Sequence, residues 1–109
     1  MGPFAVSDVV LVAFPYADFS AFKKRPALVV AKAEFNNLIL CQITSKAMTS
    51  KQAICITDND FGRGSLQISS YVRPDKLFTV ERSAIQGRVG SLRPKPFSRI
   101  KTSVRQLFK

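Results

Sequence analysis

Two pairs of polar side chains in this sequence have residue types and spacings that suit phosphate chemistry. Arg25 stands directly before Pro26 and an aliphatic run, and Thr44 ends the next apolar segment. Arg73 and Asp75 are two residues apart, so in a strand both side chains point to one face. A guanidinium offers a fork of donors to a phosphate, a hydroxyl adds one donor, and a carboxylate beside them accepts a proton. The plainer alternatives are a surface ion pair for Arg73 and Asp75 and a β-branched strand end for Thr44.

The first pair is positioned by a predicted hairpin. A proline restricts the residue before it to an extended backbone, so Arg25 is stiff before any packing. A proline also has no N–H to give to a ladder, so the strand is predicted to begin at the proline. A hairpin loop over 33–37 sets Lys32 opposite Leu38, and in that register Arg25 lies within one residue of Thr44. We therefore expect a guanidinium and a hydroxyl to converge at one end of a rigid hairpin.

The other apolar segments are also short and β-branched, and turn residues separate them, which is typical of strands. The predicted strands are 9–14, 26–32, 38–45, 53–57, 68–73, 76–80 and 85–92. Residues 15–24 and the turn-rich segment 58–64 are predicted to be loops. Pro74 is predicted to interrupt the strand pieces on either side of it.

The C-terminal segment has a different periodicity. From Pro94 onwards the apolar residues recur with helical spacing, which predicts an amphipathic helix. These residues are Phe97, Ile100, Val104, Leu107 and Phe108. We therefore predict one domain over residues 1–109, mainly β, with five to seven short strands curled into a small barrel or half-barrel closed by a C-terminal helix.

The charge predicts the class of partner. Seventeen Lys and Arg residues stand against seven Asp and Glu, which gives a net charge of +10. Such an excess predicts a polyanionic partner, most often nucleic acid. Cys41 and Cys55 stand in apolar segments without metal-site spacing, and the chain has no histidine, so we predict two buried, inert thiols. We expect no metal or other cofactor. The apolar run 9–14 is too short to span a membrane and lacks a signal peptide's basic start, so we expect no membrane segment and a cytoplasmic protein.

Residues 7–46, "SDVVLVAFPYADFSAFKKRPALVVAKAEFNNLILCQITSK", and 70–92, "SYVRPDKLFTVERSAIQGRVGSL", carry a resemblance to a known family. The chain resembles the MazF/PemK-type toxins of type II toxin–antitoxin systems. The resemblance implies an SH3-like barrel that acts as a homodimer and inhibits growth. The implied activity is a metal-independent, sequence-specific endoribonuclease acting on single-stranded RNA, an mRNA interferase. The implied partners are RNA, an acidic antitoxin and, through the toxin–antitoxin complex, operator DNA.

The same resemblance implies roles for the two pairs. The arginine of "RPALVV" and the threonine of "ITS" are catalytic in the family, which assigns Arg25 and Thr44. In the PemK-like branch an Arg and an Asp two apart serve as acid and base, which assigns Arg73 and Asp75. The branches use different sets, so all four residues are candidates. The family's usual glycine before the first strand is Ser7 here.

The predicted RNA-binding residues lie beside the catalytic candidates. The aromatic residues Tyr16, Phe19 and Phe22 suit base stacking, although loop aromatics equally suit capping the core. The remaining members are polar or basic: Lys23, Lys24, Ser45 and Lys46. Two other functions stay open, namely a gyrase-directed toxin of the same fold and a catalytically inactive nucleic-acid-binding module.

Overall fold

Short segments with alternating burial form seven strands, followed by one helix, in the computed structural model, which describes residues 4–15, 22–46 and 51–108. The side chains of residues 14, 15, 22 and 23 are not described. The elements are β1 (Asp8–Pro15), β2 (Phe22–Lys32), β3 (Asn37–Thr44), β4 (Ile54–Ile56), β5 (Phe61–Gly64), β6 (Ser70–Glu81), β7 (Ile85–Leu92) and α1 (Pro94–Gln106).

The strands form one antiparallel sheet in the order β4-β6-β3-β2-β1-β7-β5. Register shifts interrupt the β1–β7, β2–β3, β3–β6 and β5–β7 ladders. Bulges of this kind bend a strand and increase its twist. The sheet therefore curls into a half-barrel. The predicted fold, mainly β with a C-terminal helix, is confirmed.

Strand β2 lies in the middle of the sheet and is buried on both of its faces. Leu28 belongs to a core on the helix side, whereas Ala27 and Val29 belong to a second core on the opposite face. The helix-side core contains Val9, Leu28, Cys41, Ile43, Ile56, Phe61, Val72, Leu92, Phe97 and Ile100. The opposite core contains Phe4, Val10, Val12, Ala27, Val29, Leu38 and Leu40. Successive side chains of β2 point to opposite faces of the sheet, so this one strand contributes to two separate apolar clusters.

Helix α1 covers one face of the sheet. It buries Phe97 and Ile100, and Val104 packs against the same core. The predicted apolar face is therefore correct as far as Val104. Leu107 and Phe108 are 37% and 73% exposed, because the helix ends before them. The helix has 13 residues, and no helix in the described part of the chain is long and apolar enough to span a membrane.

The start of β2 differs from the prediction. The strand begins at Phe22, four residues before Pro26, so residues 22–24 are not loop. Pro26 lies opposite Leu11 of β1, and the ladder with β3 begins only at Ala27. Pro26 thus occupies a stretch of β2 that pairs with β1 alone, where its missing N–H interrupts no ladder with β3.

The break predicted at Pro74 is a bulge inside one continuous strand. Cys41 pairs with Leu77, but the next residue of β3, Gln42, pairs with Arg73. The segment 74–76 therefore has no partner on β3. A bulge keeps both halves of β6 in the sheet while it re-aims the side chains between them.

The prediction of a loop over 58–64 is wrong for its second half. Residues 58–60 form a short 3-10 turn, and β5 follows directly. Its sequence, FGRG, lacks alternating apolar residues, so nothing in the pattern indicated a strand. The strand forms because two glycine backbones pack together: a Cβ on Gly90 would lie 2.2 Å from the carbonyl oxygen of Arg63.

The β2–β3 register is close to the predicted one. Lys32 pairs with Leu38 as expected, but a bulge between Val29 and Ala31 shifts every later pair by one residue. The extra residue is residue 30 of β2, which has no partner on β3.

Ser7 adopts a backbone conformation that favours glycine. Its φ is 77°, in the left-handed region where a side chain strains the backbone. Its N–H donates to the Val29 carbonyl at 2.9 Å, and its carbonyl accepts from the Leu92 N–H at 2.9 Å. Both neighbouring strands therefore hold the strained residue in place.

We expect Ser7→Gly to raise the free energy of unfolding by about 1 kcal/mol. A left-handed residue with a Cβ costs about 1–2 kcal/mol, part of which the greater chain entropy of glycine offsets. Urea denaturation with an unchanged m-value measures the gain. Ser7→Ala is the matched control, because it keeps the strain, and it should not stabilise the protein. Equal stability of the two variants would contradict the explanation.

Candidate functional site

Three of the four predicted catalytic residues share the sheet face opposite α1. Gln42 pairs with Ala27 on one side and with Arg73 on the other. Paired residues share a face, as do residues two apart on one strand. Arg25 and Thr44, each two residues from a member of this row, therefore face the same way as Arg73. Continuing the β2–β3 register two residues past Ala27 brings Arg25 level with Thr44.

The Arg25 side chain lies half-buried at the edge of the opposite-face core. Its partner on β1 is Val12, which is 2% exposed. Among the described residues, no hydrogen bond or ion pair engages the Arg25 guanidinium. Its donors are therefore available to an anion from outside this part of the chain.

The Thr44 hydroxyl caps the turn that follows β3. Its Oγ1 accepts a hydrogen bond from the Lys46 N–H at 3.2 Å. This bond uses a lone pair of the oxygen and leaves the hydroxyl proton available to donate. Thr44 therefore presents a donor level with Arg25 in the extended β2–β3 register. Ser45 and Lys46 are exposed directly after it.

Arg73 and Asp75 form a two-pronged ion pair across the bulge of β6. Arg73 Nε donates to Asp75 Oδ1 at 3.1 Å, and Nη2 donates to Oδ2 at 2.8 Å. The side chains are 13% and 27% exposed. The bulge makes this geometry available because Pro74, between them, is buried on the helix side. Arg73 and Asp75 thus lie side by side, as their spacing predicted, and they form the ion pair that was the plainer alternative.

The ion pair determines the protonation of both groups. The Arg73 hydrogen bonds hold the pKa of Asp75 below its ordinary value, although partial desolvation acts in the opposite direction. The Asp75 hydrogen bonds raise the pKa of Arg73. Asp75 is thus a carboxylate at neutral pH and a weak base while Arg73 holds both its oxygens. The Asp75 carboxylate offsets the charge of Arg73, whereas no carboxylate among the described residues pairs with Arg25.

The remaining predicted RNA-binding residues divide into three groups. Lys24 is exposed, but it neighbours Arg25 in the strand and therefore faces the helix side of the sheet, away from Arg25. For Phe22 and Lys23 the structure gives backbone positions only, opposite Pro15 and Phe14. Tyr16 and Phe19 lie outside the described residues.

Two polar residues that the sequence reasoning did not single out belong to the same face. Gln42 lies between Ala27 and Arg73, and Tyr71 pairs with Thr44. Gln42 lies two residues before Thr44, and Tyr71 lies two residues before Arg73, and both of these were predicted site residues. Period-two alternation along the two strands was the signal that could have identified them.

The prediction of two buried thiols is wrong for one of them. Cys41 is buried in the helix-side core, and burial raises the pKa of its thiol to about 12. Cys55 is exposed on the short strand β4, where it pairs with Tyr71. It is exposed because β4 is an edge strand with one uncovered face. Among the described residues no three His, Cys, Asp or Glu side chains cluster as metal ligands would.

We expect the two thiols to differ in reactivity. Ellman's reagent at pH 8 should modify one thiol rapidly in the native protein and the second only after unfolding, since Cys41 is both buried and neutral. Cys55→Ser should remove the rapid phase and leave the slow one. A rapid phase that survives this substitution would contradict the assignment.

We expect the carboxyl group of Asp75 to titrate below its ordinary value of 3.8 in the folded protein and to return towards it in Arg73→Gln. Carboxyl carbon chemical shifts followed by NMR from pH 2 to 7 measure both. A carboxyl whose pKa is lowered on folding stabilises the protein above the unfolded pKa, and this stability is lost as the pH falls through the folded pKa. Asp75→Asn should therefore flatten the acid limb of the stability curve. An Asp75 titration unaffected by Arg73→Gln would contradict the coupling.

Comparisons with known proteins agree with this architecture. Residues 6–108 match the family described as PemK-like, MazF-like toxins of type II toxin–antitoxin systems. No curated protein matches the chain. Among solved structures, MazE–MazF (Form-II) from Deinococcus radiodurans is similar with a TM-score of 0.79 at 17% identity, covering 99% of this chain and 97% of that chain. An endoribonuclease in complex with its cognate antitoxin from mycobacterial species has a TM-score of 0.76 at 15% identity, covering 96% and 94%. These TM-scores show a shared fold. The family match over nearly the whole length shows that the chain belongs to the PemK-like, MazF-like toxins of type II toxin–antitoxin systems.

Proposed function

We propose that this toxin is a metal-independent, sequence-specific endoribonuclease that cleaves single-stranded RNA with its own side chains. The observation that supports this most directly is the position of Arg25. A stiff backbone holds a guanidinium, without a partner among the described residues, level with a threonine hydroxyl. That pair suits the two non-bridging oxygens of a phosphodiester. The endoribonuclease description of structurally similar toxins supports the same reaction class.

The chemistry needs three things from the protein. The 2′-oxygen of one nucleotide attacks the adjacent phosphorus, so its proton must be accepted. Negative charge develops on the phosphoryl oxygens, so it must be stabilised. The bond from phosphorus to the 5′-oxygen breaks, so that oxygen must gain a proton. The products of these steps are a 2′,3′-cyclic phosphate and a 5′-hydroxyl.

Arg25 and Thr44 supply the stabilisation in this proposal. Arg25 donates to the phosphoryl oxygens as their charge grows, and the Thr44 hydroxyl donates alongside it. Pre-positioned donors of this kind contribute about 3–4 kcal/mol to the transition state. Arginine keeps its proton in water, so its role is electrostatic, and solvent protonates the leaving 5′-oxygen.

Asp75 accepts the proton of the 2′-hydroxyl in this proposal, and Arg73 controls when it does so. While Arg73 holds both oxygens, Asp75 is a poor base. An RNA phosphate that competes for the Arg73 guanidinium frees the carboxylate and raises its pKa. Binding of the substrate thus frees the Asp75 carboxylate to deprotonate that substrate.

The substrate must be single-stranded, since a duplex holds its backbone away from in-line attack and its bases out of reach. Tyr71 and Gln42 on the same face offer a stacking surface and an amide for reading a base. The exposed residues after Thr44 and the basic charge of the chain suit the flanking phosphates. As a type II toxin the protein is expected to pair with an acidic antitoxin, and we propose a homodimer as its working form.

The first experiment is incubation of the purified protein with a long single-stranded RNA in excess EDTA, followed by mapping of the ends. We expect cuts at one recurrent short sequence, with cyclic phosphate and 5′-hydroxyl ends. Arg25→Ala should reduce the cleavage rate by about 10²–10³-fold, the cost of losing one such donor.

Lys32→Ala is the matched control, because it removes an exposed cation from the other end of the same strand. It should leave the rate within about twofold of the parent's, since a screened surface charge far from the site contributes little. Thermal unfolding of both variants checks that the fold is intact. Cleavage that stops in EDTA would contradict metal independence, and full activity of a folded Arg25→Ala variant would contradict the site. Intact RNA under all conditions would leave the two alternatives, a gyrase-directed toxin and a catalytically inactive nucleic-acid-binding module.

A further inference from the structure

A basic, hydroxyl-lined trough runs between β4 and α1, on the helix side of the sheet. Two clefts of about 940 and 430 Å³ adjoin there and share Ile54, Ser103 and Gln106. Lys95, Ser98 and Arg99 line the larger cleft, and Lys51 lines the smaller one. We call this surface the β4–α1 trough. None of the described residues that line it is acidic.

The charge of the trough comes mainly from α1. The helix contains four basic residues and no acidic one, and two of the four, Lys95 and Arg99, line the trough. Arg99 has one carboxylate near it, that of Asp60, at 3.6 Å, and its side chain remains 63% exposed. At that distance the pair is electrostatic rather than hydrogen-bonded, so the guanidinium retains its donors. Among the described residues, no carboxylate is hydrogen-bonded to the cations of the trough, and only Asp60 partly offsets the charge of Arg99.

The other lining groups indicate which polyanion fits. Serine and threonine hydroxyls, a glutamine amide, lysine and arginine are the side chains that donate to phosphate oxygens in nucleic-acid complexes. An acidic protein segment would need buried apolar anchors to bind tightly. A more apolar groove lies elsewhere in the described part of the chain, lined by Val30, Ile39, Leu77 and Val104. The trough matches a phosphodiester backbone better than an acidic peptide.

The trough and the candidate site meet at the edge of the sheet. Pro74 lines the trough, whereas its neighbours Arg73 and Asp75 form the ion pair on the opposite face. Edge strand β4 separates the two surfaces, with Ile54 in the trough and Cys55 paired to Tyr71 on the other side. An RNA chain that leaves the candidate site and crosses β4 therefore enters the trough directly.

We propose that the β4–α1 trough binds the backbone of single-stranded RNA that flanks the cleaved sequence. This inference rests on the proposed function, because it assigns the flanking part of the same substrate. It extends the RNA contact surface to the face opposite the candidate catalytic residues. The contacts go to phosphates, so they increase affinity for long RNA and do not select a sequence.

The test compares two double variants that each remove one lysine and one arginine charge. Lys95→Gln with Arg99→Gln alters the trough, and the control variant, Lys32→Gln with Arg63→Gln, alters exposed residues that do not line it. The probe is a fluorescent single-stranded RNA of about 30 nucleotides, 2′-O-methylated throughout so that it cannot be cleaved by 2′-oxygen attack. Fluorescence anisotropy at several salt concentrations gives Kd and its salt dependence.

We expect the trough variant to bind about tenfold more weakly at low salt, and its salt slope to fall by about 1.4, since each single-strand phosphate contact contributes about 0.7. The Kd of the control variant should change less than threefold. Equal losses in both variants, or none in either, would overturn the proposal. A trough variant that loses affinity for a labelled polyglutamate peptide but keeps its RNA affinity would also overturn it, in favour of an acidic protein partner.

The cleavage assay in EDTA separates this result from the proposed function. Trough-dependent binding without any cleavage would contradict the ribonuclease and leave an RNA-binding surface. Cleavage with binding that does not depend on the trough would contradict only the inference made here.

Discussion

The alternation of side chains along β2 is the constraint on which the rest of the structure depends. Leu28 enters the helix-side core, and Ala27 and Val29 enter the opposite one. A slip of one residue would exchange these sets and bring two cores out of register at once. Full burial of Leu28 alone contributes about 1.5–3 kcal/mol. The position of Arg25 thus follows from aliphatic packing two residues away and from its pairing with Val12 on β1.

The two candidate arginines occupy one face in opposite electrostatic states. Arg73 lies in a bulge with a carboxylate on both prongs of its guanidinium. Arg25 lies in a regular strand with an apolar residue behind it. Among the described residues, Arg73 therefore has a carboxylate partner and Arg25 has none. In the proposed function, an anion binds Arg25 and also competes for Arg73.

The sequence predicted the features that depend on local chemistry. The β2–β3 hairpin, the helix face up to Val104 and the meeting of Arg73 with Asp75 follow from turn residues, period and spacing. The start of β2, before Pro26, could not be predicted, because it depends on which neighbour each part of the strand pairs with.

The missed features depend on contacts between distant segments. The bulge at 30 adjusts β2 to two cores, which no single hairpin pattern contains. Strand β5 forms because glycine backbones pack together, and Cys55 is exposed because β4 lies at the edge of the sheet. Tyr16 and Phe19 lie outside the described residues, so their predicted stacking role stays a prediction.

The all-basic surface of α1 also has a thermodynamic consequence for the folded chain itself. A helix that holds four positive charges and no negative one repels itself and the other cations of a chain with a net charge of +10. Any polyanion that binds only the folded state relieves this repulsion and shifts the folding equilibrium by mass action. Added salt screens the same repulsion, so the isolated toxin gains stability with ionic strength where a protein held together by ion pairs would lose it. Polyanion binding and the stability of the fold are therefore thermodynamically linked, and a polyanion that binds the folded toxin makes it more stable than the free toxin.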